Sequence, residues 1–452
     1  MSQAIPTADL RVTATNRQIL AIALPISFSI FVPQINFITN NIFLGGLGEK
    51  PLAAAGITGV YYLIFGVIGF GLNNGLQAMI ARRAGQQRPE AIGKLFAQGV
   101  YIAMAIAALG IICTWLLAPL VLNYSLQDPE LRSTCLSFLR IRIFGLPFLY
   151  VYQMRNALLV GTNQSRLLIW GTAAETIANI TLDYSLIYGR LGLPRLGFNG
   201  AAVASVIAEA IGMLVVFAVI EWKGISKQLA LYKDLRPDWP EARLLLVQSS
   251  PLILQYGISI LSWEFFYILI EHYGSRDLAI SNTMRNILGF FGVFTWAFAA
   301  TSNTMVSNII GQGKDEEVEP LIRRIVKLSL YFSLVLITLL NIFPGSILQI
   351  YGQGESFVSM AIPVMRVVSL AMVMMSFATV WLNAVTGTGH SKVNLRIELV
   401  AIIAYTIYVY LVLRVYKLPI SIAWMSEWLY WIILFLLSFF YIRSGRWKGK
   451  VI

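Results

Sequence analysis

The chain has 452 residues, of which 57% are apolar and only 12% charged, with a mean hydropathy of +0.71. Average soluble proteins carry about 25% charged residues, so these charges cannot clothe a water-facing surface of this size, and a soluble enzyme is excluded. A net charge of +12 would suggest a nucleic-acid binder in a polar protein, so its meaning depends on where the Lys and Arg residues sit.

The N-terminal tail is short and mildly charged (Asp9, Arg11, Arg17) and runs into an apolar stretch too long for the core of a signal peptide. A helix needs about 20 mostly apolar residues to cross roughly 30 Å of hydrocarbon, because every backbone N–H and C=O must be paired within the segment. Twelve segments meet that requirement, at about residues 18–45, 52–80, 96–120, 135–160, 167–189, 200–221, 245–270, 278–309, 326–350, 360–386, 395–415 and 420–442. The sequence therefore predicts an all-α polytopic membrane protein with both termini on one side. The tails and even-numbered loops hold 22 of the 34 Lys and Arg residues and the opposite loops 7, which places both termini in the cytoplasm. The basic excess then marks topology, and no basic domain is left for nucleic acid. Arg140, Arg142 and Arg366 begin their spans and are expected to reach the outer interface, while Arg155 and Arg285 fall inside theirs. The two cysteines and two histidines form no metal-ligand cluster, and no phosphate-cradling glycine loop is present.

The sequence aligns with itself at an offset of 226, half its length. Pro25 meets Pro251, Gly48 meets Gly274, Phe65-Gly66-Val67 meets Phe291-Gly292-Val293, and Gly161-Thr162 meets Gly387-Thr388. Matches fall on turn glycines and helix-bending prolines, where backbone geometry restricts the residue. Two six-span lobes follow, 1–221 and 244–452, joined by a cytoplasmic linker at 222–243. With six spans each they share orientation, related by a pseudo-twofold axis along the membrane normal, a plan that transporters use for alternating access.

An ionisable group in mid-membrane is costly and therefore rare without a role or a partner. Glu175, Asn179 and Asp183 recur at i, i+4, i+8 and line one face of the fifth span. Their repeat counterparts are Ala401, Tyr405 and Val409, so the scaffold does not require the polar stripe. A hydrogen-bonded network between helices is the alternative use of these residues. Glu264 lies thirteen residues after Pro251 in the seventh span. Its alternatives are ion coupling and pairing with an arginine such as Arg285. For Glu209, Glu398 and Glu427, snorkelling or helix-end placement stands beside a functional role as the alternative. Met372, Met374 and Met375 suit lipid-facing packing or a soft ligand surface. Trp424, Trp428 and Trp431 suit an interfacial belt or a bundle contact.

Several motifs resemble the multidrug and toxic compound extrusion (MATE) transporters of the MOP flippase superfamily. They are Leu24-Pro25, Gly45 to Gly48 followed by Pro51 to Ala54, Gln77 to Gly85, Gly161 to Asn163, Asn179 to Asp183, and Gly197 to Ser205. The resemblance covers the whole chain. It implies an inner-membrane antiporter, not an enzyme, with two six-helix lobes facing each other in a V. Such a protein couples inward H⁺ or Na⁺ to export of amphipathic, often cationic, organic compounds. It needs no cofactor beyond the coupling ion and is expected to act as a monomer in the lipid bilayer.

Carried over residue by residue, Asn179 and Asp183 match positions of the family's N-lobe cation or proton site, and Ser205 stands where the family often has a Thr. The family's first-span carboxylate aligns with Asn40, an amide that cannot exchange a proton. Asn36 and Asn40 share a face and could offer carbonyl oxygens to Na⁺, the one metal ion expected here. Asp183 and Glu175 would then hold the titratable charge, or the N-lobe would not couple at all. Glu264 matches a seventh-span Glu of some members, but the tenth-span Asp of several relatives is missing from Leu370 to Phe377. Pro25, with Pro33, interrupts the first helix's hydrogen bonding and bends it, either as a static kink or as the motion that the family links to protonation. Two other functions remain in view: a flippase of lipid-linked glycans or peptidoglycan precursor, which would line its cavity with Arg and Lys, and a non-transporting membrane scaffold.

Overall fold

Apolar stretches long enough to span a bilayer become helices here because hydrocarbon leaves their backbone no other partner, and glycine or proline ends most of them. In a computed structural model that describes residues 9–352 and 354–452, these helices are α1 (Asn16–Gly45), α2 (Glu49–Gly85), α3 (Pro89–Ser125), α4 (Pro129–Gly161, tightened at Ile143–Gly145), α5 (Leu168–Tyr188), α6 (Phe198–Trp222), α7 (Trp239–Glu271), α8 (Ser275–Gly311), α9 (Val318–Ile342), α10 (Glu355–Gly387), α11 (Ser391–Tyr410) and α12 (Ser426–Arg443). No strand occurs among the described residues. Residues 1–8, where the predicted N-terminal lobe begins, lie outside them.

Among the described residues, ten helices are long and apolar enough to cross a membrane. The other two predicted spans, α5 and α8, form as helices but fall short in apolar character. Glu175, Asn179 and Asp183 lower it in α5, as Thr301, Ser302, Asn303 and Thr304 do in α8. With 21 residues, α5 is still about 31 Å long.

The internal repeat extends to backbone conformation. Positive φ angles recur 226 residues apart at Gly48 and Gly274, Gln87 and Gly313, Asn163 and Gly389, and Leu191 and Lys417. The left-handed region is costly for residues with a Cβ. Its retention at Gln87, Asn163, Leu191 and Lys417 shows that turn geometry is shared even where glycine is not. Both α2 and α8 have 37 residues and begin and end at matching repeat positions.

Contacts divide the chain into two compact units. Unit 1 is Phe28–Ser249 with the tail around Asp9 and Leu10; unit 2 is Ser250–Ile452 with Arg11–Ser27. The division does not follow the sequence halves. Arg11–Ser27 joins unit 2 because Val12 N–H donates to Asn308 Oδ1 (3.1 Å), Gln312 Nε2 donates to the Val12 carbonyl (2.9 Å) and Arg324 donates to the Ala14 carbonyl. Thus α1, continuous through Pro25 and Pro33, belongs partly to each unit.

Residues 222–243 pack on unit 1. Tyr101 OH and Gln98 Nε2 donate to the carbonyls of Leu235 and Arg236, and Arg83 pairs with Glu241 at 2.7 Å. Asp238 accepts from Lys94 at 2.5 Å and from the Glu241 N–H in the first turn of α7, which together hold its carboxyl below the ordinary range.

Most of the methionine and tryptophan runs is core, with Met374 and Trp428 partly buried. Met372 and Met375 are buried, and so are Trp424 and Trp431, while Trp428 Nε1 donates to the Val367 carbonyl. Neither a lipid-facing methionine surface nor an interfacial belt is formed by these residues, because α10 packs against α8, α9 and α12 at once.

Candidate functional site

The fifth-span stripe faces inward. In unit 1, α5 packs along α6, and Gly171 and Gly212 permit a close approach: a Cβ on Gly212 would meet the Glu175 side chain at 2.9 Å. Asn179 is buried and its Nδ2 lies 3.4 Å from Ser205 Oγ on α6. One turn on, Asp183 is 0% exposed and neither carboxylate oxygen has a hydrogen-bond partner. That arrangement is unusual, since buried polar groups are nearly always paired.

Residues of α1 approach the same end of α5. Tyr188 OH donates to the Phe43 carbonyl at 2.7 Å, and the Phe43 ring packs against Tyr184 and Tyr188. Spans one and five run in the same direction by alternation. Asn40 and Asn36 therefore lie back along α1 from Phe43 as Asp183 and Asn179 lie back along α5 from Tyr188. The Oδ1 atoms of Asn36 and Asn40 are also buried without partners. Each of these four oxygens is a buried acceptor left unsatisfied.

A second buried cluster escaped the sequence reading. Arg142 does not reach the outer interface: its guanidinium grips Glu209 on α6 with Nη1–Oε2 at 2.8 Å and Nη2–Oε1 at 2.5 Å. Nη1 also donates to Tyr62 OH at 2.9 Å, and the guanidinium carbon stands 3.8 Å from the Tyr62 ring centroid. Glu209, 7% exposed, is accordingly not a snorkelling residue. The pair needs Gly145, where a Cβ would overlap both Glu209 Oε2 and Arg142 Nη1. Gly145→Ala should therefore force the pair apart and lower the thermal midpoint in detergent. An unchanged midpoint would show that the ion pair can relocate. Nothing in the sequence joins two charges 67 positions apart, though an Arg and a Glu inside apolar spans are each a signal to look for a partner.

In unit 2, Glu264 meets Arg285 at 3.6 Å, and both side chains are surface-facing, at 44% and 40% exposure. Arg285 also stacks over the rings of Trp263 and Tyr267. By contrast Glu398 is 1% and Glu427 3% exposed, so neither snorkels, although Glu427 does sit at a helix end, in the first turn of α12. Their helices, α11 and α12, pack against each other and turn these carboxylates into unit 2.

The MatE family model matches residues 25–185 and again 251–412. The chain belongs to the MatE family. The two MatE matches begin 226 residues apart, one on each repeat. Relatives include a probable multidrug resistance protein NorM of Thermotoga maritima, 20% identical over 96% of this chain and 94% of its own length. Another is the multidrug resistance protein MdtK of Cronobacter sakazakii, 25% identical over 67% of this chain and 66% of its own. Among solved structures, the outward-facing conformation of a multidrug resistance MATE family transporter matches with a TM-score of 0.89 at 17% identity, covering 100% of both chains. A MOP superfamily transporter from Pyrococcus furiosus matches at 0.88, also at 17% identity and covering 100% of both chains. These likenesses establish the MatE fold over the full chain, that of a multi-pass membrane transporter.

Proposed function

We propose that this MatE member is a secondary antiporter that exports small amphipathic organic compounds, cationic ones among them, in exchange for inward H⁺ or Na⁺ bound at Asp183. The observation that carries the reading is the Asp183 carboxylate, wholly buried with both oxygens unpartnered. An ionised carboxylate there lacks both solvation and a hydrogen-bonded partner, at a cost of several kcal/mol. A proton removes that cost, and so would Na⁺ shared with the Asn36 and Asn40 carbonyl oxygens. Loading and release of the ion would then bias two access states that differ in affinity for substrate. The multidrug resistance names of the relatives support the substrate class. No cofactor is required, and the protein works as a monomer. The excess of Lys and Arg on one side supports a bacterial cytoplasmic membrane protein with both termini inside.

A flippase for pyrophosphate-linked lipids is less well supported, because the intra-span arginines it would use are engaged. Arg142 holds Glu209, Arg155 Nη1 donates to the Met213 carbonyl at 2.6 Å, and Arg285 faces Glu264. In proteoliposomes, a cationic dye should move against an imposed pH or Na⁺ gradient, and comparing the two gradients identifies the ion. No dye movement under either gradient would overturn the reading.

A further inference from the structure

Unit 2 contains a buried acid site that the Asp183 mechanism does not use. Along α7, Gln255, Ser259 and Trp263 fall at i, i+4, i+8 on one face. Gln255 Nε2 and Ser259 Oγ donate to Glu398 at 3.1 and 2.7 Å, and Tyr430 OH from α12 donates to the same carboxylate. One turn along α7, Trp263 Nε1 donates to Glu427 at 3.1 Å, and Trp431 Nε1 donates to its other oxygen at 3.0 Å. Asn394 Nδ2 backs the cluster, donating to Gln255 Oε1 at 2.8 Å and to Thr386 Oγ1 at 3.0 Å.

Every partner of the two carboxylates is a neutral donor, and neither makes an ion pair among the described residues. The titratable groups that face them are tyrosines: Tyr256 and Tyr267 from α7, Tyr405 from α11 and Tyr430 from α12. Arg285 of α8 reaches only the rings of Trp263 and Tyr267 and is drawn to Glu264. The stretch of α10 from Val367 to Gly387 contains no titratable residue. A carboxylate buried in so apolar a place, with neutral donors alone, is ionised only at heavy cost, which a proton removes. Glu398, with three donors, is equipped to give it up and take it back.

The fold does not need an acid here. Thr172, the repeat counterpart of Glu398, is buried in α5 with its hydroxyl 2.9 Å from Tyr152 OH, and Glu427 corresponds to Ala201. Each unit thus carries carboxylates on the same helix pair, α5 and α6 or α11 and α12, at non-equivalent positions.

We propose that Glu398 is a second proton-exchange site, in unit 2, whose proton is exchanged with bulk water. Its use in transport rests on the antiport reading above, whereas the site itself can be tested without transport. The measurement is an infrared pH titration of the purified protein in lipid, following the C=O stretch of protonated carboxyl groups. One titrating band should vanish in Glu398→Gln, persist in Glu398→Asp and survive in Asp183→Asn. Tyr430→Phe removes a donor to the ionised form and keeps the acid, so the pH at which that band is half lost should rise by about one unit. Retention of every titrating band in Glu398→Gln, or an unmoved band in Tyr430→Phe, would overturn the proposal. Loss of export in Asp183→Asn bears on the antiport reading alone, so the two can fail separately.

Discussion

Replacing Asp183 by Asn should reduce gradient-driven export about tenfold or more while leaving the protein folded. The size of the effect follows from what the substitution removes. Asn has the same shape, supplies an oxygen where the carboxylate had one, and cannot bind or release a proton. No hydrogen bond is lost, because neither Asp183 oxygen makes one. A buried ionisable group without a partner is itself a burden on the fold, so thermal stability should hold or rise slightly. The informative comparison sets dye export in vesicles against the unfolding midpoint of the same preparation. Lost export with an unchanged midpoint supports coupling at Asp183. Undiminished export would end that assignment, and a large fall in the midpoint would make Asp183 a structural residue.

The second large effect is expected at Arg142 and Glu209. Truncating either to Ala leaves the other charge buried and unpaired, which costs about 3–5 kcal/mol. Expression and the unfolding midpoint should both fall sharply. The double variant Arg142→Met with Glu209→Leu removes both charges at similar volume and should recover most of the loss, since a buried ion pair adds little over a well-packed apolar pair. Failure of the double variant to recover would mean that Tyr62, which holds Arg142 by a hydrogen bond and ring contact, depends on the guanidinium. Normal stability in both single variants would show that the pair is not structural.

The contrast between these two sites shows what a sequence can reveal in a membrane protein. The helices were legible because bilayer thickness sets a length and hydrocarbon a composition. The repeat was legible because turns at Gly48 and Gly274 share a backbone conformation that few residues tolerate. The stripe of Glu175, Asn179 and Asp183 stood out by helical spacing and by its absence from the other half. For Arg142 the sequence suggests the outer interface, and nothing in it pairs Arg142 with Glu209, or Glu398 with Gln255, Ser259 and Tyr430. Hydropathy averages over a helix and does not report which face is covered, and these partners lie 32 to 143 residues apart in the chain. A short spacing rule reaches contacts along one helix, but only tertiary structure finds those between helices.

The sharing of α1 between the two units bears on where this chain can be cut. A chain cut at its sequence midpoint would strand Arg11–Ser27 with the first fragment, away from Asn308, Gln312 and Arg324, which anchor that segment. The sequence repeat and the packing unit therefore have different borders, and the midpoint of the repeat is not a seam of the fold.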